Sequence, residues 1–238
     1  MEIWAHRGAS AVCPENTMAA FVKAYEMGAD GIELDIHKTQ DGVLIVMHDE
    51  NVARTTMGRG YIHSAPYSWI RTLDAGSRFH RRFAGEKVPS LDEVFSFIKS
   101  TRMRINVEMK NQQIHYPRLE EDLLTLIAHH GLEERVVISS FNHDSIRRVR
   151  TLDAGIDTAL LCTDFRPVDA LYAQQFRASA IHPSYKSVSP DYVSDATRRG
   201  IQMRPYTVDE DHVMRALHAW GVTGLITNRP DIARSVVG

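Results

Sequence analysis

The stretch Gly31-Ile32-Glu33-Leu34-Asp35-Ile36 decides the fold. Side chains of a strand alternate between its two faces. Ile32, Leu34 and Ile36 therefore point one way, and Glu33 and Asp35 the other. A strand buried in a parallel sheet normally reads as an unbroken apolar run. This one is apolar on one face and acidic on the other. The pattern recurs in Ile105-Asn106-Val107-Glu108-Met109-Lys110, where Asn106, Glu108 and Lys110 oppose Ile105, Val107 and Met109. Two further strand-like segments, Trp4-Ala5-His6 and Val46-Met47-His48, end in histidine. Carboxylates and imidazoles on several such strands point to the lining of a metal site.

Working outward, strand-like and helix-like patterns alternate along the chain, the mark of an α/β fold. Strands are expected at 2–6, 31–36, 44–48, 105–109, 136–140, 157–161, 179–182, 202–206 and 224–227. Helices are expected at 15–27, 118–130, 143–153, 168–175, 189–199, 209–220 and from Asp231. Ser90 and Glu93 form a capping-box pattern ahead of another, with Val94, Phe95, Phe97 and Ile98 as its apolar face. At 238 residues the chain fits one (β/α)8 barrel domain. Residues 50–88 break the rhythm and read as an insertion at the barrel rim, either a lid or a packing appendage.

Nine candidate strands are one too many for such a barrel. The link from Asp35 to Leu44 is too short for a crossover helix. A two-residue hairpin at Asp41-Gly42 would pair 40 with 43, hence 35 with 48. Opposed residues share a face, so His48 would join Glu33 and Asp35. The His48 strand is thus expected to be antiparallel, or splayed at the rim, with the other eight parallel. The alternative is that a late segment such as 179–182 lies outside the barrel.

Composition narrows the function. Net charge is −2, which gives no basis for nucleic-acid binding. No apolar run is long enough to span a bilayer, no secretory signal is visible, and stable membrane association is not expected. The two cysteines, Cys13 and Cys162, lack metal-ligand spacing and read as free thiols of a cytoplasmic protein. A homo-oligomer is compatible with this reading. There is no G-x-G-x-x-G, P-loop or G-x-S-x-G pattern.

Glu33, Asp35 and Glu108 offer hard oxygen donors, which suit Mg²⁺, Ca²⁺ or Mn²⁺ better than Zn²⁺. Without a cation the three would repel. His6 and His48 each end a strand, where barrel active sites sit, and suit acid and base roles in phosphodiester cleavage. Arg7 and Lys110 suit phosphate oxygens, or pairing with the carboxylates, or both.

The ordered set of motifs resembles the glycerophosphodiester phosphodiesterase family. It runs His6-Arg7-Gly8-Ala9, Pro14-Glu15-Asn16-Thr17, Gly31 to Asp35, Thr39-x-Asp41-Gly42, His48-Asp49, Arg54-Thr55-Thr56, Pro89 to Glu93 and Asn106-x-Glu108-x-Lys110. Ser139-Ser140-Phe141 and Ile226-Thr227-Asn228-Arg229-Pro230 extend it nearly to the end. The resemblance implies a TIM-type barrel that converts glycerophosphodiesters to sn-glycerol 3-phosphate and an alcohol. It implies His6 and His48 as the acid/base pair, Glu33, Asp35 and Glu108 as ligands of one Mg²⁺ or Ca²⁺, and Arg7 and Lys110 on the phosphate. Phe141 and Tyr206 are its substrate-facing aromatics, with Tyr206 standing where the family often has Trp. Asn228, where the family commonly has Asp, reads as a rim detail, and Asn16 and Thr17 as the start of a helix. Two other readings stand beside this one. A lysophospholipase D-type activity would need an apolar entrance, for which Met57, Tyr61, Tyr67, Trp69 and Ile70 are candidates, although a small local core explains them more simply. A non-catalytic phosphodiester-binding protein would show damage at the five site positions, and none is damaged.

Overall fold

The structure is a computed structural model describing all 238 residues. Its strands are β1 (Glu2–His6), β2 (Gly31–Lys38), β3 (Leu44–Val46), β4 (Arg104–Met109), β5 (Val136–Ser140), β6 (Asp157–Cys162), β7 (Ala180–Pro183), β8 (Gln202–Met203) and β9 (Gly224–Thr227). Its helices are α1 (Met18–Glu26), the short α2 (Tyr67–Ile70), α3 (Leu91–Lys99), α4 (Leu119–His130), α5 (His143–Leu152), α6 (Ala170–Gln175), α7 (Pro190–Arg198), α8 (Asp211–Trp220) and α9 (Pro230–Val237). No helix is long and apolar enough to cross a membrane.

Eight strands run parallel in the order β8-β7-β6-β5-β4-β2-β1-β9. The ring closes between β9 and the β8 segment. Thr223 N donates to Met203 O (3.1 Å), Ile226 N to Pro205 O (2.9 Å) and Val208 N to Ile226 O (2.9 Å). The fold is therefore an α/β TIM-type barrel. Segment 180–183 pairs in parallel with both neighbours, so the late segment belongs to the barrel. The regular part of β8 is shorter than expected, because Pro205 cannot donate to a ladder.

β3 is antiparallel, as the short link requires, but its register differs from the expected one by one residue. Ile36 pairs with Val46 and Lys38 with Leu44. The loop holds three residues, not two: Thr39 N donates to Val43 O (2.9 Å), and Gly42 takes φ +87°. A three-residue hairpin with a left-handed third residue is the next favoured solution. Asp35 therefore lies opposite Met47, whose N–H donates to Asp35 O at 3.0 Å. A one-residue slip reverses faces along a continuing strand. Here β3 stops at Val46, so His48 is free to turn toward the site.

Register then sorts the two surfaces of the barrel. His6 pairs with Glu33 and Glu33 with Asn106, while Asp35 pairs with Glu108 and Glu108 with Ser139. These residues share the inside. Ile32, Leu34, Ile36, Ile105, Val107 and Met109 face outward into the main core beneath the helices. The floor of the barrel is charged, where Val, Ile and Leu layers usually dominate. The guanidinium groups of Arg104 and Arg204 both lie over Trp4, 5.6 and 5.1 Å from its ring centre. Its Nε1 donates to Glu2 Oε2 (3.0 Å), which also accepts from Arg204 Nε (3.1 Å). Gly31 makes room for this indole, since a Cβ there would stand 2.7 Å from Trp4.

Residues 50–88 build a small core of their own. Val52, Ile62, Ile70, Ala75 and Val88 pack with Ile45 and Met47. Tyr67 Oη and Arg71 donate to Glu93, which also closes the capping box with Ser90 at the start of α3. Ile70 and Tyr67 thus serve local packing, whereas Met57, Tyr61 and Trp69 remain exposed.

Arg204 is 1 % exposed and covers Trp4. Arg204→Ala removes a buried cation and opens a void, and is expected to lower stability by about 3 kcal/mol in urea unfolding. A loss under about 0.5 kcal/mol would contradict this account of the floor.

Candidate active site

The site opens at the carboxyl ends of the strands, where the barrel geometry places every βα loop. His6 is the last residue of β1. The chain then turns sharply, with Arg7 at φ +56° and Gly8 at φ +81°. Gly8 packs on α1, where a Cβ would meet Ala20 Cβ at 2.6 Å. The strained Arg7 conformation costs roughly 1–3 kcal/mol. It aims the Arg7 N–H at Glu33 Oε2 (3.0 Å) and its guanidinium at Asp35 (3.4 Å) and Glu15 (2.9 Å).

Glu33, Asp35 and Glu108 converge, with ligand oxygens all within 4.8 Å of one another. Burial and the neighbouring Asp35 charge push Glu108 up to about 7. Burial, Asp35 and Glu108 likewise raise Glu33 well above the carboxylate range. Burial also works against Asp35, but Arg7 and Lys110 more than offset it and hold this carboxyl below its ordinary value. The set is consistent with a divalent cation: oxygen donors only, buried, and mutually repelling until a cation is bound. Lys110 Nζ donates to Glu108 Oε1 (2.8 Å) and lies 3.7 Å from Asp35. Arg7 and Lys110 thus both pair with carboxylates.

Asn16 belongs to the site, contrary to its reading as part of a helix start. Its Nδ2 donates to Asp35 Oδ2 (2.9 Å), and its Oδ1 is buried without a partner. Thr17 is the N-cap of α1, as expected. Asn16 takes φ +56°, which reverses the chain so that adjacent residues serve different masters.

The two histidines differ in their backing. His6 Nδ1 lies 2.7 Å from Asn228 Oδ1. Asn228 N donates to Asp209 Oδ1 (2.8 Å) and Asn228 Nδ2 to Asp209 Oδ2 (2.6 Å). A carboxylate only accepts, so the amide nitrogen must face Asp209 and the amide oxygen must face His6. His6 therefore carries its proton on Nδ1 and leaves Nε2 as an acceptor. Burial and the Arg7 charge lower its pKa to about 4, which keeps the ring neutral. Asn228 is thus not a rim detail: β9 pairs with β1 and carries it against His6.

His48 is backed by a charge instead. Its Nδ1 lies 2.6 Å from Asp49 Oδ1, and Asp49 is held by Arg54 Nε (2.6 Å). Arg54 also grips both oxygens of Glu15 (2.8 and 2.7 Å), so the insertion is tied to the Arg7 side of the site. The ring's Nε2 is 3.3 Å from Lys110 Nζ. Buried His37 donates from Nε2 to the His48 carbonyl (3.0 Å) and accepts from Tyr116 Oη (2.8 Å). Sequence reading overlooked His37, although period two from Asp35 puts it on the same inner face.

Two adjoining cavities meet at these groups. The smaller, about 170 Å³, is lined by His6, Arg7, Glu33, Leu161 and Tyr206 among others. The larger, about 350 Å³, lies toward Glu50, Gln112 and Gln113. His48, Glu108, Lys110 and Phe141 line both. Phe141 and Tyr206 meet edge to face, centroids 6.1 Å apart, and Tyr206 Oη donates to Cys162 O (3.0 Å). Eight of the nine expected site residues line these cavities, and the ninth, Asp35, is buried behind them against Arg7 and Lys110.

Such a mouth defines a barrel enzyme of the phosphoric-diester class. The glycerophosphoryl diester phosphodiesterase family model matches residues 6–232. A glycerophosphodiester phosphodiesterase of Caldanaerobacter subterraneus is 42% identical over 235 residues, 98% of this chain and 96% of the relative. The crystal structure of a glycerophosphodiester phosphodiesterase from Agrobacterium tumefaciens is 30% identical, with a TM-score of 0.88 over 99% of this chain and 100% of that one. A phosphodiesterase of Oleispira antarctica, solved with its product sn-glycerol-3-phosphate, shares the fold at 24% identity and a TM-score of 0.89 over 100% and 96% of the two chains. The chain belongs to the glycerophosphoryl diester phosphodiesterase family and is an enzyme.

Asp209 touches Asn228, not the catalytic cavity. Asp209→Ala frees the Asn228 amide to rotate, and is expected to lower kcat about 10–100-fold with the protein still folded. Unchanged kcat would remove the proton assignment on His6.

Proposed function

We propose that this enzyme hydrolyses glycerophosphodiesters to sn-glycerol 3-phosphate and an alcohol, with His6 as general base and His48 as general acid. The observation that carries the reading is the opposite backing of two imidazoles across one buried carboxylate cluster. His6, neutral and backed by an amide, offers Nε2 to the proton of the attacking oxygen. His48, backed by the Asp49 carboxylate, faces an acceptor able to stabilise the ring when it carries a second proton. The new O–P bond forms as the P–O bond to the alcohol breaks. His6 takes the proton of the nucleophile and His48 gives one to the departing oxygen. Arg7 and Lys110 bring positive charge to the phosphate and offset what develops on it.

Glu33, Asp35 and Glu108 would hold a divalent cation, Mg²⁺, Ca²⁺ or Mn²⁺, which when bound supplies charge neutralisation at the phosphate oxygens. Neither cavity has an apolar track for an acyl chain. Three of twelve lining residues are hydrophobic in the larger cavity and four of twelve in the smaller. Soluble diesters are therefore favoured over lysolipids.

The test is release of sn-glycerol 3-phosphate from glycerophosphoethanolamine by chelator-stripped protein, before and after each cation is added. Release is expected only with a cation. His6→Ala and His48→Ala should each lower it ~10²–10⁴-fold. Turnover by His6→Ala near the native rate would sink the assignment. A second measurement follows from Glu108. Its folded pKa is raised, so the metal-free fold loses stability as pH rises through about 7, and cation binding must displace a proton below that point. The rise in Tm on adding the cation is expected to be larger at pH 8 than at pH 6, and an equal rise at both would contradict the carboxylate site.

A further inference from the structure

The larger cavity offers a subsite that the family membership leaves unassigned. It adjoins the reacting groups through His48, Glu108, Lys110 and Phe141, yet Glu50, Asn51, Gln112 and Gln113 on its wall have no part in the proposed catalysis. The smaller cavity is enclosed by strand ends and holds His6 and Arg7, which suits the constant half of the substrate, glycerol phosphate. The larger one reaches the exposed Gln112 and Gln113, which suits the variable half.

Its charge is one-sided. Lys110 is its one lysine and it contains no arginine, and Lys110 is engaged by Glu108 and Asp35. Of its outer carboxylates, Asp49 is taken up by His48 and Arg54. Glu50 has no ion pair and no side-chain hydrogen bond, and it is half-buried on the wall. Asn51, Gln112 and Gln113 supply neutral donors and acceptors on the same cavity, and Phe141 contributes an aromatic ring. A cavity whose wall carries an unpaired carboxylate, neutral amides and an aromatic ring favours a compact cation and disfavours an anion.

We infer that this cavity is the leaving-alcohol subsite and selects alcohols bearing an ammonium group, with Glu50 as the specificity-determining residue. The inference rests on the proposed glycerophosphodiester hydrolysis. It also accords with the proton assignment, because His48 borders this cavity and His6 does not. Glu50 acts on binding and leaves the chemistry to the other residues, so its effect belongs in KM.

The experiment compares kcat/KM for the ethanolamine and glycerol diesters of glycerol 3-phosphate, one cationic at the alcohol and one neutral. The native enzyme is expected to prefer the ethanolamine diester. Glu50→Gln should cut kcat/KM for that substrate about fivefold through KM, leave the glycerol diester unchanged, and leave Tm unchanged. Glu50→Lys should invert the preference, and the native preference should shrink as salt is raised. A substrate ratio that stays the same in Glu50→Gln and Glu50→Lys would overturn the subsite. Native protein that cleaves neither diester with any cation would instead overturn the function on which the subsite rests.

Discussion

Three carboxylates held within a few ångströms of one another inside a barrel repel, and the rest of the site is arranged around that repulsion. Asp35 is the most supported, with Arg7, Lys110 and Asn16 all turned toward it. Glu33 has the Arg7 N–H, delivered by the left-handed turn at Arg7-Gly8. Glu108 has Lys110. These contacts compensate part of the charge and leave Glu33 and Glu108 raised, the condition in which a divalent cation gains most by binding. Stability and metal affinity are thus opposed at this place: the residues that weaken the empty cluster are those that would hold the ion.

The charge pattern spreads outward from that cluster as a closed circuit. Arg7 passes to Glu15, Glu15 to Arg54, Arg54 to Asp49, Asp49 to His48, and His48 through Lys110 back to Glu108. Residues 50–88 enter this circuit through Arg54. Through Arg54 the insertion holds Asp49, the carboxylate in contact with His48. It is anchored by its own small core and by the start of α3, and so can present Arg54 from a fixed base. The other histidine is oriented independently, through Asn228 and Asp209 across the closure of the barrel. Two imidazoles alike in sequence thus have different partners behind them, an amide at His6 and a carboxylate at His48.

Much of this was legible in the chain. Alternation in Ile32-Glu33-Leu34-Asp35-Ile36 put the carboxylates inside and the aliphatics outside, because side-chain period in a strand is a local property. The capping box at Ser90 and Glu93 is local in the same sense. The short link before Leu44 excluded a crossover and left an antiparallel strand or one splayed at the rim, and the structure has the first. Its register was not legible, since two- and three-residue turns differ by little and the side chain of Thr39 tips the balance by capping Val43 N (2.9 Å).

The sequence by itself determined the class of fold, the five acid and imidazole groups and their common destination, all through short-range periodicity and ordered motifs. Only the tertiary structure decided what stands behind each group. Asn228 reaches His6 across 222 positions of chain because β9 closes on β1. Arg204 shares Glu2 with Trp4 across 202 positions because the first strand and the late strands share one floor. Such contacts have no local signature: their partners are polar residues in ordinary turns and strand ends. Proton placement, charge compensation and the division of the mouth into two cavities depend on barrel closure, which no window of neighbouring residues contains.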